Sequence, residues 1–487
     1  MSKSITVNSI YNFVLKVFRL IVPILVGPYI QRLFDIELYG CFNDASTWVD
    51  LALVFGGFGI YTYAVREVSA VRDDREKVRN LYASLFSMGL CTNIAVLIFY
   101  AAFVFFRVDG AGRAIYLALG FKVLANVFMV EWLNEAGENY RFITIKTILV
   151  RFSYLVGIFV FIKKPDDVLK YTLLVVLTDF VNNLVSFIYV TRRIGLSFKG
   201  VQWKKHLIPL ISILIISNVN LLYTSLDKMI LGQVADKVQV TIYKTPQDIT
   251  YMIGQLLASI VLVAVPRLAY YSGNGRMDEF MKLVDKSYHS FMLIVFPACT
   301  GVACLAPEIM WIYGGGKYDA SIPVLILFAI RTTESAVYTI CANQILYVLH
   351  QEKFLVKILL ACGLLNAGLD ILLVLAGLYT PLTAIASTFI AEVVLMAVLF
   401  WHIRVRLSIP FHFLSRENLR YVLLSLTFVP ITLLIRLIGL GYIWTAILSV
   451  VICMAVYFGV LLLLKDPMLR FLMDKVLGKL KRGKGNA

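Results

Sequence analysis

Charge is scarce in this chain: only 16% of its 487 residues are Asp, Glu, Lys or Arg, against 60% that are hydrophobic. Soluble domains carry about 25% charged residues, so this balance excludes an ordinary soluble fold. Histidine is rarer still, with five residues scattered near the ends of apolar runs and none in a ligand motif. The seven cysteines (Cys41, Cys91, Cys299, Cys304, Cys341, Cys362 and Cys453) sit in or beside apolar runs without paired spacing. That pattern reads as small core residues and excludes a disulfide framework or a metal site. Low-complexity segments and long polar stretches are also missing, so no extramembrane domain of ordinary size fits between the apolar runs. A membrane enzyme with a folded active-site head is excluded on that ground.

Nucleotide chemistry is excluded as well. Gly314-Gly315-Gly316-Lys317 superficially suggests a phosphate loop, but that motif needs Gly at 311 and Ser or Thr at 318, where this chain has Trp311 and Tyr318. There is no Ser-His-Asp grouping, metal-ligand cluster or kinase signature, and no cofactor is expected.

What is present is a succession of apolar stretches that fill the chain almost end to end. Runs such as 207–219 and 450–464 contain no charge and are rich in Ile, Leu and Val. A hydrocarbon core of about 30 Å needs about 20 helical residues, so such runs predict membrane-crossing helices. About fourteen are expected by this length criterion, starting near residues 8, 41, 82, 114, 142, 169, 206, 247, 287, 321, 354, 383, 419 and 441. The expected fold class is therefore an all-α polytopic membrane protein. The first apolar run continues past signal-peptide length, so the first span is expected to stay in the protein.

The net charge of +16 is distributed unevenly. Basic residues collect in 66–79, 192–205, 267–286, 404–420 and 465–484, whereas 34–40, 314–319 and 377–383 hold almost none. Connections rich in Lys and Arg stay on the cytoplasmic side, which puts both termini inside and makes the number of spans even. The positive charge is thus a topology signal, with attraction to anionic headgroups as a second effect; no nucleic-acid partner is expected. The basic stretch 192–205 forms a joint between halves that look alike at an offset of about 200 residues, a ground plan of transporters. The expected organisation is a six-helix lobe at 1–195, a second at 196–410, and two extra helices with a basic tail at 411–487.

Several spans carry polar residues on one face. Asn12, Lys16 and Arg19 are spaced i, i+4 and i+7 and share a helix face. A charge at the bilayer centre costs roughly 2.5–3.5 kcal/mol. The stripe therefore faces a watery interior, or Lys16 and Arg19 lie near the cytoplasmic end and snorkel to headgroups. Pro23 and Pro28 follow and are able to bend the helix. Asn43, Thr47 and Asp50 make a second stripe, ahead of the close-packing glycines 56, 57 and 59. Asp50 would pair with Arg19 or Lys16, titrate as a coupling group, or make an interhelical hydrogen bond without a transport role.

The fourth span carries Lys122, and its inner end carries Glu131, Glu135 and Glu138 on one face; Glu135 and Glu138 read as a solvated face, and Glu131, beside Trp132, stays open between a solvated and an interior reading. Asp179 and Glu392 stand alone among apolar residues and each requires a partner, structural or substrate, while Arg151 sits in the early part of a span. Asp227 and Lys228 are adjacent, so they point about 100° apart and cannot form an in-line pair. Arg331 and Glu334 are i, i+3: either Glu334 holds a substrate-binding cation, or the two are a structural salt bridge. The candidate substrate-binding set is thus Asn12, Lys16, Arg19, Lys122, Lys228 and Arg331. The candidate ion-coupling or charge-pairing set is Asp50, Asp227 and Glu334.

The order and spacing of local motifs resemble the Wzx-type oligosaccharide flippases of the multidrug/oligosaccharidyl-lipid/polysaccharide exporter superfamily. The carrying pieces are Pro28-Tyr29-Ile30-Gln31-Arg32 followed by the run 59–67, and Glu131-Trp132-Leu133 with Tyr140 and Ile143-Thr144-Ile145. Leu226-Asp227-Lys228 with Leu231-Gly232, Pro266-Arg267-Leu268, and 366–372 ahead of Ala391-Glu392 complete them. Two positions depart: Val240-Thr241-Ile242-Tyr243 lacks the usual Gly before Tyr, and Pro381 stands where Gly is common.

The resemblance implies a flippase for undecaprenyl-diphosphate-linked repeat units of a bacterial surface polysaccharide, working by alternating access in the plasma (inner) membrane. It also implies an ion gradient of H+ or Na+ as the energy source, with Asp50 the first candidate for coupling, and a polysaccharide polymerase and glycosyltransferases as partners. The rival readings are a multidrug or small-solute antiporter of the same architecture, which predicts a more acidic cavity, and a membrane polymerase or lipid-linked glycosyltransferase, which predicts a long outer loop. A lipid II flippase would differ only in substrate.

Overall fold

The computed structural model describes residues 18, 22–198, 201–218, 225–410, 415–471 and 473. All regular structure among them is helical. Eleven helical segments are long and apolar enough to cross a membrane. Of the other expected spans, the one starting near residue 8 lies mostly outside the described residues, which show α1 at 22–33; α9 (Trp203–Asn218) with α10 (Leu226–Val234), and α11 (Lys237–Val261), are helices at the places of the remaining two. This is a multi-pass membrane protein. Phe106, Leu375 and Leu463 are 78%, 79% and 82% exposed, as side chains that meet lipid should be.

Chain contacts divide the protein into Met1–Thr241 and Ile242–Ala487. The first unit contains α1 to α10: after α1 come α2 (Ile36–Gly57), α3 (Ile60–Val71), α4 (Arg75–Arg107), α5 (Arg113–Val127), α6 (Glu131–Ala136), α7 (Tyr140–Phe161) and α8 (Val168–Ile194). Its helix ends are set locally. Asp35 caps α2 by accepting the Glu37 and Leu38 amides, and Asp74 caps α4 through Glu76 and Lys77. Phe58 and Gly59 both adopt positive φ, 49° and 71°, which breaks α2 from α3. Gly59 is needed there on a second count, since a Cβ would lie 3.0 Å from the Leu214 amide of α9.

At the centre of the unit α5 packs on α2, α4 and α8. α9 packs on α3 and α4, and α10 on α2, which is why the unit extends to Thr241. Two aromatic clusters fill the interior. Phe34, Tyr39, Phe42 and Tyr171 form one, and Tyr82, Phe86, Trp132 and Phe187 the other, with neighbouring rings 5.0–6.1 Å apart.

The second unit continues through α12 (Val265–Gly273), α13 (Met277–Cys304), α14 (Ala306–Gly314), α15 (Ile322–Ile340), α16 (Glu352–Leu375), α17 (Pro381–Trp401), α18 (Arg416–Leu426), α19 (Phe428–Arg436) and α20 (Tyr442–Leu463). Here α13 packs on α15 and α18, α17 on both α15 and α16, and α20 on α14 and α19. Thr380 starts α17 with a reciprocal capping box to Thr383, followed by Pro381 in the first turn. A π-helical turn, Cys341–Leu346, follows α15 directly.

Candidate functional site

In a hydrocarbon setting a charged side chain persists only with a partner or with water. The described interior follows that rule with a series of acid–base pairs, each joining two helices. In the first unit Lys122 of α5 meets Asp179 of α8 at 3.3 Å. Lys146 of α7, 5% exposed, bonds the Glu131 carboxylate of α6 and donates to Ser186 Oγ (2.8 Å) and the Asn182 carbonyl (3.2 Å) of α8.

In the second unit Arg331 of α15 donates from Nε and a terminal nitrogen to the two Glu392 oxygens of α17, at 2.7 and 2.5 Å. This is the fork geometry that makes arginine–carboxylate pairs strong. Arg436 of α19 does the same with Glu308 of α14, at 2.7 Å to each oxygen, and also reaches the Cys304 carbonyl.

Of the sequence candidates, Asn12, Lys16 and Arg19 lie outside the described residues. Lys122 and Arg331 are each engaged by a carboxylate, and Arg331 selects Glu392 rather than Glu334 on its own helix. Asp179 and Glu392 thereby have the partners they required. Asp227 and Lys228 are both buried at the start of α10. Asp50 is exposed, whereas its stripe-mates Asn43 and Thr47 are buried: Asn43 donates to Thr241 at 2.9 Å, and Thr47 back-bonds to the Asn43 carbonyl. Glu334 lines a cavity of about 800 Å³ in the second unit, together with Thr300, Thr333, Phe389, Val393 and Arg436.

Other interior polar groups escaped the sequence reading. Asp44, 1% exposed, accepts a hydrogen bond from the Tyr116 hydroxyl of α5, and its other oxygen lies where a Cβ on Gly232 of α10 would overlap it. The Lys237 ammonium lies 5.2 Å from the Tyr116 ring centre. In the second unit Asp370 of α16 accepts from Ser387 of α17 at 2.6 Å, with Asn366 buried one turn away. Signals existed for some of these. Lys146 interrupts an apolar run just as Lys122 does, and Asp44 directly follows Asn43. Among the described residues the arrangement is a set of charges, each closed by a partner on another helix.

The family model described as polysaccharide biosynthesis protein matches residues 5–272. The chain is 20% identical over 365 residues to a protein of Escherichia coli (strain K12) named "Putative O-antigen transporter", covering 74% of this chain and 87% of that one. It is 26% identical over 179 residues to "Probable low-salt glycan biosynthesis flippase Agl15" of Haloferax volcanii, a match spanning 36% of this chain and 37% of that protein. Among solved structures, the lipid II flippase MurJ in an inward closed conformation superposes with a TM-score of 0.71, covering 96% of this chain and 100% of that one at 16% identity. With residues 5–272, more than half of the chain, matched by that model and the fold shared with a solved lipid flippase, the chain belongs to the polysaccharide biosynthesis protein family.

Proposed function

We propose that this protein translocates polyprenyl-diphosphate-linked oligosaccharide repeat units across the bacterial plasma membrane for surface polysaccharide assembly. The observation that carries this reading is the family model over residues 5–272 on a chain whose full length has the fold of a lipid flippase. The named O-antigen transporter and glycan flippase among its relatives support the same substrate class. The protein acts as a transporter rather than an enzyme, supplied by glycosyltransferases and followed by a polymerase. Both termini lie in the cytoplasm, in keeping with the basic connections.

In this reading Asn12, Lys16 and Arg19 face the diphosphate headgroup. A unit charge pair 4 Å apart at an effective dielectric near 20 gives about 4 kcal/mol before desolvation, enough to recruit the headgroup. Lys122, Lys228 and Arg331 are further substrate-binding cations in this reading, Lys122 and Arg331 once Asp179 and Glu392 release them. An ion gradient, H+ or Na+, drives alternating access between the repeated halves, with Asp50, Asp227 and Glu334 as the acidic groups available to it.

The test is depletion of the protein followed by quantification of lipid-linked oligosaccharide on each leaflet. Complete repeat units should accumulate on the inner leaflet while surface polysaccharide is lost. Normal delivery to the outer leaflet, or failure to complete the units, would overturn the reading.

A further inference from the structure

Two carboxylates and one guanidinium meet inside the second unit, and their charges do not cancel. Arg331 is held by Glu392 through two hydrogen bonds. Glu334 stands one turn further along α15, where it faces both the Glu392 carboxylate and the Arg331 guanidinium. Its Oε1 has no hydrogen-bond partner among the described residues, and the side chain forms part of the wall of the 800 Å³ cavity. The wall near it is mostly apolar, with Ile330, Val337, Phe389 and Val393, beside the neutral hydroxyl of Thr333.

Among the described residues, the other groups able to carry charge around Glu334 do not supply a second cation. On α15 and the turn after it these are Tyr338 and Cys341, and on α11 it is Tyr243. On α13 they are Cys299 and Cys304, both on the cavity wall. Arg436 of α19 shares the cavity but is bound by Glu308. With both acids ionised the cluster would hold a net charge of −1 in a low-dielectric interior. An uncompensated buried carboxylate costs several kcal/mol, and two acids sharing one site resolve this by keeping one proton between them. A metal cation would need several further oxygen donors. The described residues contain no group of three acidic, His or Cys side chains to supply them, and the guanidinium would repel it.

We propose that Glu334 and Glu392 share one exchangeable proton at the cavity wall, and that this pair is the site through which a proton gradient couples to transport. The coupling part rests on the transporter reading above. With the proton bound, the carboxyl group of Glu334 is neutral, and Arg331 stays closed on Glu392, tying α15 to α17. When the proton leaves to cavity water, the Glu334 carboxylate competes for the same guanidinium, and the α15–α17 tie loosens. The π-helical turn at the end of α15 supplies a place where such a shift is absorbed.

The test is infrared difference spectroscopy on the purified protein in lipid nanodiscs, titrated from acid to alkaline pH. As the pH rises, wild type should lose one carboxylic-acid C=O band beyond those of its other carboxyl groups. Glu334→Gln should lack that band. Glu392→Gln should lack it too, because Glu334 then ionises against Arg331; this second variant decides the matter should the first fold poorly. Wild-type and Glu334→Gln spectra that titrate identically overturn the proposal.

A second arm measures flipping of a polyprenyl-diphosphate oligosaccharide in proteoliposomes with an imposed pH gradient. Wild type should accelerate with the gradient, and Glu334→Gln should lose that acceleration. Flipping by wild type that is indifferent to the gradient sinks proton coupling while leaving the flippase reading in place. The expected infrared result without any flipping sinks the flippase reading and leaves the shared proton standing.

Discussion

Replacing Lys146 by Met should destabilise the first unit more than any change at an exposed lysine. The ammonium is 5% exposed and is the counter-ion of Glu131, whose side chain is 14% exposed. Met keeps the length and the apolar stem but removes the counter-ion of the buried carboxylate, which Ser186 reaches at 3.3 Å. Breaking a buried pair on one side costs about 3–5 kcal/mol. An unfolding entropy of about 2.1 cal/mol/K per residue, over the 241 residues of the unit, amounts to about 0.5 kcal/mol/K. The apparent Tm should therefore fall by at least about 6 °C, and by more if helices persist in the unfolded state and lower its entropy.

Glu131→Gln should cost less, since Lys146 keeps its bonds to Ser186 and the Asn182 carbonyl. The double variant Lys146→Met with Glu131→Gln should recover most of the loss, because neither charge is then left alone. Thermal unfolding in detergent, followed by tryptophan fluorescence with all three variants side by side, is the assay. A single variant that melts within about 2 °C of wild type, or a double variant no better than Lys146→Met, would refute the argument that this pair is electrostatically closed.

Two further outcomes are expected. Gly232→Ala should lower stability and transport, since the added Cβ overlaps Asp44 Oδ1; a second change, Asp44→Ser, makes room and should restore melting, and no rescue would mean that the close approach of α10 to α2 is not what the glycine serves. Asp167, in the connection before α8, is held down to about 2 by Lys170 and by the amides of Lys163 and Lys164. A carboxyl depressed below its ordinary value of about 3.9 contributes stability that is present above that pH and lost as pH falls toward 2. Acid melting curves of Asp167→Asn should accordingly be flatter over that window than wild type, and parallel curves would show that the loop contributes nothing to acid sensitivity.

The sequence by itself determined the class, the helical content and the places of the spans. Crossing a bilayer is a local demand: each run must satisfy its own backbone and present apolar side chains over about 20 residues, and 207–219 or 450–464 do so whatever their neighbours are. It also showed that Asp179 and Glu392 stand alone among apolar residues and need partners. Only the tertiary structure decided which partners they have. Arg331 passes over Glu334, three residues away on its own helix, for Glu392, 61 residues on. Lys146, next to nothing acidic in sequence, finds Glu131 on another helix. The reason is physical: an ion pair in a low dielectric is governed by distance and direction between side chains, and those are set by which helix faces meet, a property of packing between runs rather than of any run alone.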